Sequence, residues 1–88
     1  MNLKILEEKN NKLIFELDTN YAIAELLISE LRNDKNVNLA TYNRDHPQIE
    51  IIRFIIEGKD PKKSIKEALK RLRETLKSSL NEIEEKIE

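Results

Sequence analysis

The last third of the chain is predicted to form one long helix, and this helix constrains the fold more than any other feature. Asp60 and Pro61 open the segment as a favoured N-cap and a favoured first helical residue, and no further Gly or Pro precedes Glu88. At about 1.5 Å per residue the helix spans roughly 40 Å. A compact chain of this length has a radius of gyration of about 12 Å and is therefore only about 30 Å across, which is less than the length of the helix. We therefore predict that part of the helix projects beyond the fold.

The predicted helix carries a narrow line of large aliphatic residues, called here the C-terminal stripe. Its spacing follows an eleven-residue repeat of about 3.67 residues per turn, so the line runs nearly straight along the helix. It occupies roughly 80° of the circumference, an arc typical of helix pairing rather than of a globular core. Because the projecting part has no cover from its own chain, the stripe predicts a second chain. Its members are Ile65, Leu69, Leu72, Leu76, Leu80, Ile83 and Ile87.

The rest of the chain predicts an α+β fold of order ββαββα, with a small antiparallel sheet and two helices in a single domain over residues 1–88. A first helix is expected from about Tyr21 to Asn33, after possible N-cap side chains in Asp18-Thr19-Asn20. The strand from Ile49 to Ile56 has apolar residues on both faces, which indicates cover on both sides. The alternating patterns place the four strands at Leu3–Glu8, Leu13–Leu17, Val37–Tyr42 and Ile49–Ile56.

The first helix has a much wider apolar arc, of about 220°. One face of a sheet cannot cover such an arc. The helix is therefore either sandwiched inside the fold or shared between the sheet and another subunit. Glu30 falls inside the arc, and it is expected either to reach water or to meet a Lys or Arg. The arc consists of Tyr21, Ile23, Ala24, Leu26, Leu27, Ile28 and Leu31.

Several classes of site are disfavoured by composition. The chain has one His, one Gly and no Cys, which leaves no thiolate metal site, disulfide or glycine-rich phosphate loop. Arg44, Asp45 and His46 share one turn without a nucleophile, so a structural role is expected. We predict no catalytic residue, no cofactor and no metal. The absence of a long apolar run predicts no membrane span and no signal peptide, hence a cytoplasmic protein.

The charges of the C-terminal segment are ordered by sign. Residues 59–77 carry eight basic and three acidic side chains, whereas residues 78–88 carry one basic and four acidic side chains. The helix dipole favours the reverse order, so these charges either form a screened, solvated face or meet partner surfaces. A nucleic-acid module is a further alternative, although no aromatic residues interleave with the basic ones. Its basic residues would be Lys62, Lys63, Lys66, Lys70, Arg71, Arg73 and Lys77.

Several sequence motifs, spread over nearly the whole chain, resemble those of one family. This family is the L subunit of archaeal DNA-directed RNA polymerase, which is a small alpha-like subunit. The most specific motif is Ala40-x-Tyr42-x-x-x-His46-Pro47. The sequence departs from the family at 21–25, where Tyr-Ala-Ile-Ala-Glu replaces a His-Thr-Leu-x-Asn pattern. The other matching elements are the two opening strands, Leu26-Leu27 with Leu31, Val37–Tyr42, and Asp60-Pro61 leading to Ala68-Leu69.

The resemblance implies one half of an alpha-type heterodimer with the larger D subunit, formed through helices. Such a dimer is the assembly platform for small partner subunits and for the two large catalytic subunits. No sequence-specific contact with nucleic acid is implied for this chain. A self-sufficient homodimeric adaptor is an alternative, because the C-terminal stripe is also self-complementary. The predicted partner interface comprises Ile23, Leu26, Leu27, Ile28, Leu31, Leu69, Leu72, Leu76, Leu80, Ile83 and Ile87.

Overall fold

A computed structural model describes residues 2–44 and 51–87. The predicted α+β fold and the order ββαββα are confirmed. The predicted start of the fourth strand at Ile49 and the turn at His46-Pro47 lie outside the described residues. The elements are β1 (Leu3–Lys9), β2 (Lys12–Asp18), α1 (Tyr21–Arg32), β3 (Val37–Arg44), β4 (Ile51–Gly58) and α2 (Pro61–Ile87).

The four strands form one antiparallel sheet in the order β1-β2-β4-β3. β1 and β2 make a hairpin through Asn10 and Asn11, which have φ angles of 52° and 62°. A type I′ hairpin turn requires positive φ at both central residues, and Asn tolerates this conformation. β4 inserts between β2 and β3, so Phe54 pairs with both Phe15 and Tyr42. The rings of Phe15 and Phe54 stack with centroids 4.8 Å apart.

Both helices pack on one face of the sheet, and the hydrophobic core lies between them and that face. On β4 this face carries Ile52, Phe54 and Ile56, which are fully buried. On the opposite face Ile51 is exposed and Ile55 is half-buried. The predicted cover on both faces of β4 is therefore wrong for the described part of the chain by itself, because no helix or strand within residues 2–44 and 51–87 lies on the second face. The buried apolar residues are Leu13, Phe15, Ala24, Leu27, Ile28, Leu31, Ala40, Ile52, Phe54, Ile56 and Ala68.

α1 lies between β3 and α2. The Asn20 side chain caps it by accepting a hydrogen bond of 3.0 Å from the backbone N–H of Ile23. On the β3 flank, Arg32 Nε donates to the carbonyl of Ala40 at 3.1 Å. On the same flank the Tyr42 hydroxyl donates to Glu25 Oε1 at 2.5 Å. These bonds orient α1 so that its opposite flank faces α2.

Within the described part of the chain, α2 is attached to the fold only through its first three turns. Asp60 caps it, with Oδ1 accepting a hydrogen bond of 3.3 Å from the backbone N–H of Lys63. Its buried residues are Ser64 and Ala68, and every residue from 73 to 87 is exposed. The chain accordingly extends over 50 × 34 × 17 Å, with a radius of gyration of 14.6 Å, larger than the ~12 Å of a compact chain of this length. The predicted projection of the helix is thus confirmed.

Candidate partner interface

The C-terminal stripe does not coincide with the side of α2 that packs on the fold. Ser64 and Ala68 define that side because both are buried. At about 100° per residue, the centre of the stripe lies roughly 100° around the helix from them. Ile65 and Leu72 are half-buried at the boundary. The other stripe residues are exposed: Leu69 by 45%, Leu76 by 50%, Leu80 by 63%, Ile83 by 55% and Ile87 by 79%.

The predicted interface residues on α1 fall into two groups. Leu27, Ile28 and Leu31 are buried in the core, because they lie on the side of α1 that faces the sheet. Their side chains are covered by the chain itself, and their assignment to a partner interface stays a prediction. Ile23 and Leu26 are exposed. They remain available at the surface of α1.

Glu30 shows which way the exposed flank of α1 faces. It lies on the same side of the helix as Ile23 and Leu26, within about 60°. Its Oε1 accepts a hydrogen bond of 2.5 Å from Nε of Arg71 on α2. Ile23 and Leu26 therefore sit on the flank of α1 that faces α2. The expected basic partner of Glu30 is thus found within the same chain.

The predicted interface omitted two of the three exposed large apolar residues of β1, Leu3 and Ile5, which lie on the face that the helices cover. Leu3 pairs with Leu17, and Ile5 pairs with buried Phe15. Directly paired residues share a face of the sheet, so Leu3 and Ile5 lie on the helix-bearing face, yet neither is covered. Their alternation was visible in the sequence, but the edge position of β1 was not. Leu6, Tyr21, Leu39 and Ile51 are also exposed but are not included in the group that we call the uncovered set, which consists of Leu3, Ile5, Ile23, Leu26, Leu69, Leu76, Leu80, Ile83 and Ile87.

Two ion pairs fix α2 against the rest of the chain. Nζ of Lys62 lies 2.5 Å from Glu8 Oε2 on β1, and Arg71 is paired with Glu30 on α1. The hydrogen bond with Glu30 raises the pKa of the Arg71 guanidinium above its usual value. Two of the seven basic residues considered for nucleic-acid binding are therefore engaged in contacts that hold the helix in place.

Neither a metal site nor a membrane-spanning helix is found among the described residues. Within residues 2–44 and 51–87, no group of three or more His, Cys, Asp or Glu side chains is arranged to hold a metal ion. In the same part of the chain, neither helix combines the length and apolar character needed to cross a membrane. The feature that calls for a functional explanation is therefore the uncovered set.

Comparison with known proteins identifies the family. The model of the RNA polymerase Rpb3/Rpb11 dimerisation domain matches residues 12–86. DNA-directed RNA polymerase subunit Rpo11 of Methanothrix thermoacetophila is 32% identical over 90 residues, covering 99% of each chain. Rpo11 of Methanothermobacter thermautotrophicus is 35% identical over 71 residues, covering 80% of this chain and 82% of the relative.

A solved structure shows the same fold. The crystal structure of DNA-directed RNA polymerase subunit L from Thermoplasma acidophilum matches with a TM-score of 0.83, covering 97% of this chain and 87% of that one. Sequence identity in this match is 19%. The chain therefore belongs to the RNA polymerase Rpb3/Rpb11 dimerisation-domain family and is of its alpha-like, Rpb11/L type.

Proposed function

We propose that this chain is a non-catalytic subunit of a cytoplasmic archaeal DNA-directed RNA polymerase. It pairs with the larger D subunit as one half of an alpha-like heterodimer, and this heterodimer is the platform on which the enzyme assembles. The observation that carries the proposal is the uncovered C-terminal stripe in a chain of a dimerisation-domain family. The names of the Rpo11 relatives, which are polymerase subunits, support the choice of complex.

The projecting part of α2 is the main surface offered to the D subunit. Residues 73–87 extend over about 22 Å at 1.5 Å per residue, and all of them are exposed. Full burial of a Leu or Ile side chain contributes about 1.5–3 kcal/mol. Since the stripe residues here are half or more exposed, each would contribute roughly 1 kcal/mol or more when a partner covers it. Exposure of this stripe to water is therefore unfavourable, and its burial against a partner is favourable.

The attached part of the chain sets the direction of this surface. Ala68 is buried in the core, and Arg71 is held by Glu30 of α1. These contacts fix the rotation of α2 about its axis, so the stripe points to a defined side. Ile23 and Leu26 form a separate exposed apolar area on α1. The role of the chain is therefore to present a rigid, oriented helical surface to its partner.

The proposal is tested by co-expression with the D subunit of the same organism, followed by size-exclusion chromatography with light scattering. The wild-type chain is expected to elute as a 1:1 complex. In the test variant Leu76→Asp/Leu80→Asp, two charges enter the stripe, and the complex is expected to be lost. The matched control Ser78→Asp/Asn81→Asp adds the same charges to exposed positions on the other side of the helix, and it is expected to retain the complex.

Two results would contradict the proposal. In the first, the wild-type chain and the D subunit elute separately, which would mean that the chain has the fold of the family but does not pair with the D subunit. The stripe variant could also retain the 1:1 complex, which would place the interface elsewhere. Circular dichroism of both variants verifies that the fold is intact, since all four substituted residues are exposed.

A further inference from the structure

The C-terminal stripe from Leu69 to Ile87 is symmetric when it is read in reverse. Laying an antiparallel second copy of α2 on the first matches Leu69 with Ile87, Leu72 with Ile83, and Leu76 with Leu80. All three matches share a midpoint close to residue 78. The near-straight course of an eleven-residue repeat lets these matches hold along the whole length without supercoiling. The stripe is thus complementary to itself in one particular register.

The charges on either side of this midpoint are complementary in the same register. Residues 69–77 carry four basic and one acidic side chain, whereas residues 79–87 carry one basic and three acidic side chains. Antiparallel pairing places each basic segment against the acidic segment of the other copy, and parallel pairing would place like charges together. Arg73 and Glu84 flank the stripe on the same side and are related by the same midpoint. Two symmetric ion pairs are therefore available.

The fold leaves room for this arrangement. Every residue from 73 to 87 is exposed in the single chain, so no other element among the described residues occupies the surface around the midpoint. The contacts with the fold end at Leu72, which is half-buried. In an antiparallel pair, the two folded bodies would lie at opposite ends of the paired helices. The bodies therefore do not compete for the same space.

We infer that, without its heterologous partner, the chain forms a homodimer by antiparallel pairing of the α2 helices, centred near residue 78. The occupant of the stripe is then a second copy of this chain. The inference rests on the symmetry and charge order of α2 and does not depend on the proposed pairing with the D subunit. If both pairings occur, the second copy must leave before the D subunit covers the same stripe.

Neighbouring serines provide a direct test, because the chain contains no Cys. At about 100° per residue, Ser79 lies roughly 60° from the centre of the stripe and Ser78 roughly 160° from it. In the proposed pair the two copies of residue 79 are offset by only about 3 Å along the axis. Mild oxidation of Ser79→Cys is therefore expected to give a disulfide-linked dimer, whereas Ser78→Cys is expected to give little.

Light scattering of the chain alone supplies the second measurement. The wild-type mass is expected to be twice the chain mass of 10.4 kDa. Arg73→Glu is expected to weaken self-association by about tenfold, and Arg73→Glu/Glu84→Arg is expected to restore it. A monomeric wild type at high micromolar concentration, equal cross-linking at both serines, or no rescue by the double variant would overturn the inference. These experiments omit the D subunit, so their failure is distinguishable from failure of the heterodimer.

Discussion

Removal of the projecting part of α2 should separate folding from partner binding. The variant ends at Leu72 and lacks residues 73–88. Every described residue that it removes, 73–87, is exposed in the single chain, while buried Ser64 and Ala68 remain. The free energy of unfolding of the dilute single chain is therefore expected to change by less than about 1 kcal/mol, since surface changes away from the core have small effects.

The same truncation should have a large effect on binding to the D subunit. It removes Leu76, Leu80, Ile83 and Ile87, which are between 50% and 79% exposed. At about 1.5–3 kcal/mol for each fully buried side chain, covering the exposed fractions contributes about 4–7 kcal/mol in gross terms. Part of this is offset by the ordering of side chains at the interface. An affinity loss of at least about 100-fold is expected, which corresponds to ~2.8 kcal/mol.

Two assays measure the two effects. Urea unfolding followed by circular dichroism gives the stability of the single chain at a concentration low enough to avoid self-association. Isothermal titration with the D subunit gives the affinity. A stability loss above about 2 kcal/mol would show that the projecting helix packs on its own fold. An affinity within threefold of the wild type would show that the C-terminal stripe is not the binding surface.

Two further predictions concern the attached part of the chain. A Cβ at Gly58 would lie 2.3 Å from the backbone carbonyl oxygen of Asn36, so Gly58→Ala must displace the backbone. The substitution is expected to lower the free energy of unfolding, measured with urea, by about 2–3 kcal/mol. An unchanged urea midpoint would contradict this close approach. The hydrogen bond to Glu25 raises the pKa of the Tyr42 hydroxyl, so the folded state holds this proton more tightly than the unfolded state, whose pKa is about 10. The stability that this bond contributes is present below about pH 10 and is lost as the pH rises through the raised folded pKa. In Tyr42→Phe, the free energy of unfolding measured from pH 9 to 11 should therefore fall less steeply than in the wild type. Identical pH profiles of the two proteins would refute this prediction.

The elements could be predicted from the sequence because their local signals agree with the fold. Asp60 caps α2 as expected, and Asn20 proved to be the residue of the Asp18-Thr19-Asn20 group whose side chain caps α1. The alternating strands appear with small differences in their limits. These signals act over a few residues, which is the range that a sequence pattern can encode. The projection of α2 followed from length alone, since no compact fold of this size can contain such a helix.

The packing of these elements could not be read from the same patterns. The apolar arc of α1 predicted cover on more than one side, but it did not show that Leu27, Ile28 and Leu31 would face the sheet. That choice depends on the sheet order β1-β2-β4-β3, which arises from long-range pairing. The same order leaves β1 at an edge, so Leu3 and Ile5 stay exposed on the helix-bearing face. Each of these outcomes is set by tertiary contacts that local periodicity does not contain.

The charge order of α2 leads to a final prediction about the partner. Basic residues near the start of a helix and acidic residues near its end oppose the helix dipole, and the fold compensates only part of this through the Lys62–Glu8 ion pair. At the far end, the ion pair that the structure gives among residues 73–87 joins Lys86 to Glu82 of the same helix, at 3.5 Å. A partner helix that lies antiparallel along the stripe and carries the same charge order would meet these residues with opposite charges, and we expect the D subunit to supply such a helix. The association rate with the D subunit, measured by stopped flow, should therefore fall by about tenfold or more between low salt and 0.5 M salt. A rate that is independent of salt would instead mean that these charges form a solvated face, and that the apolar stripe alone selects the partner.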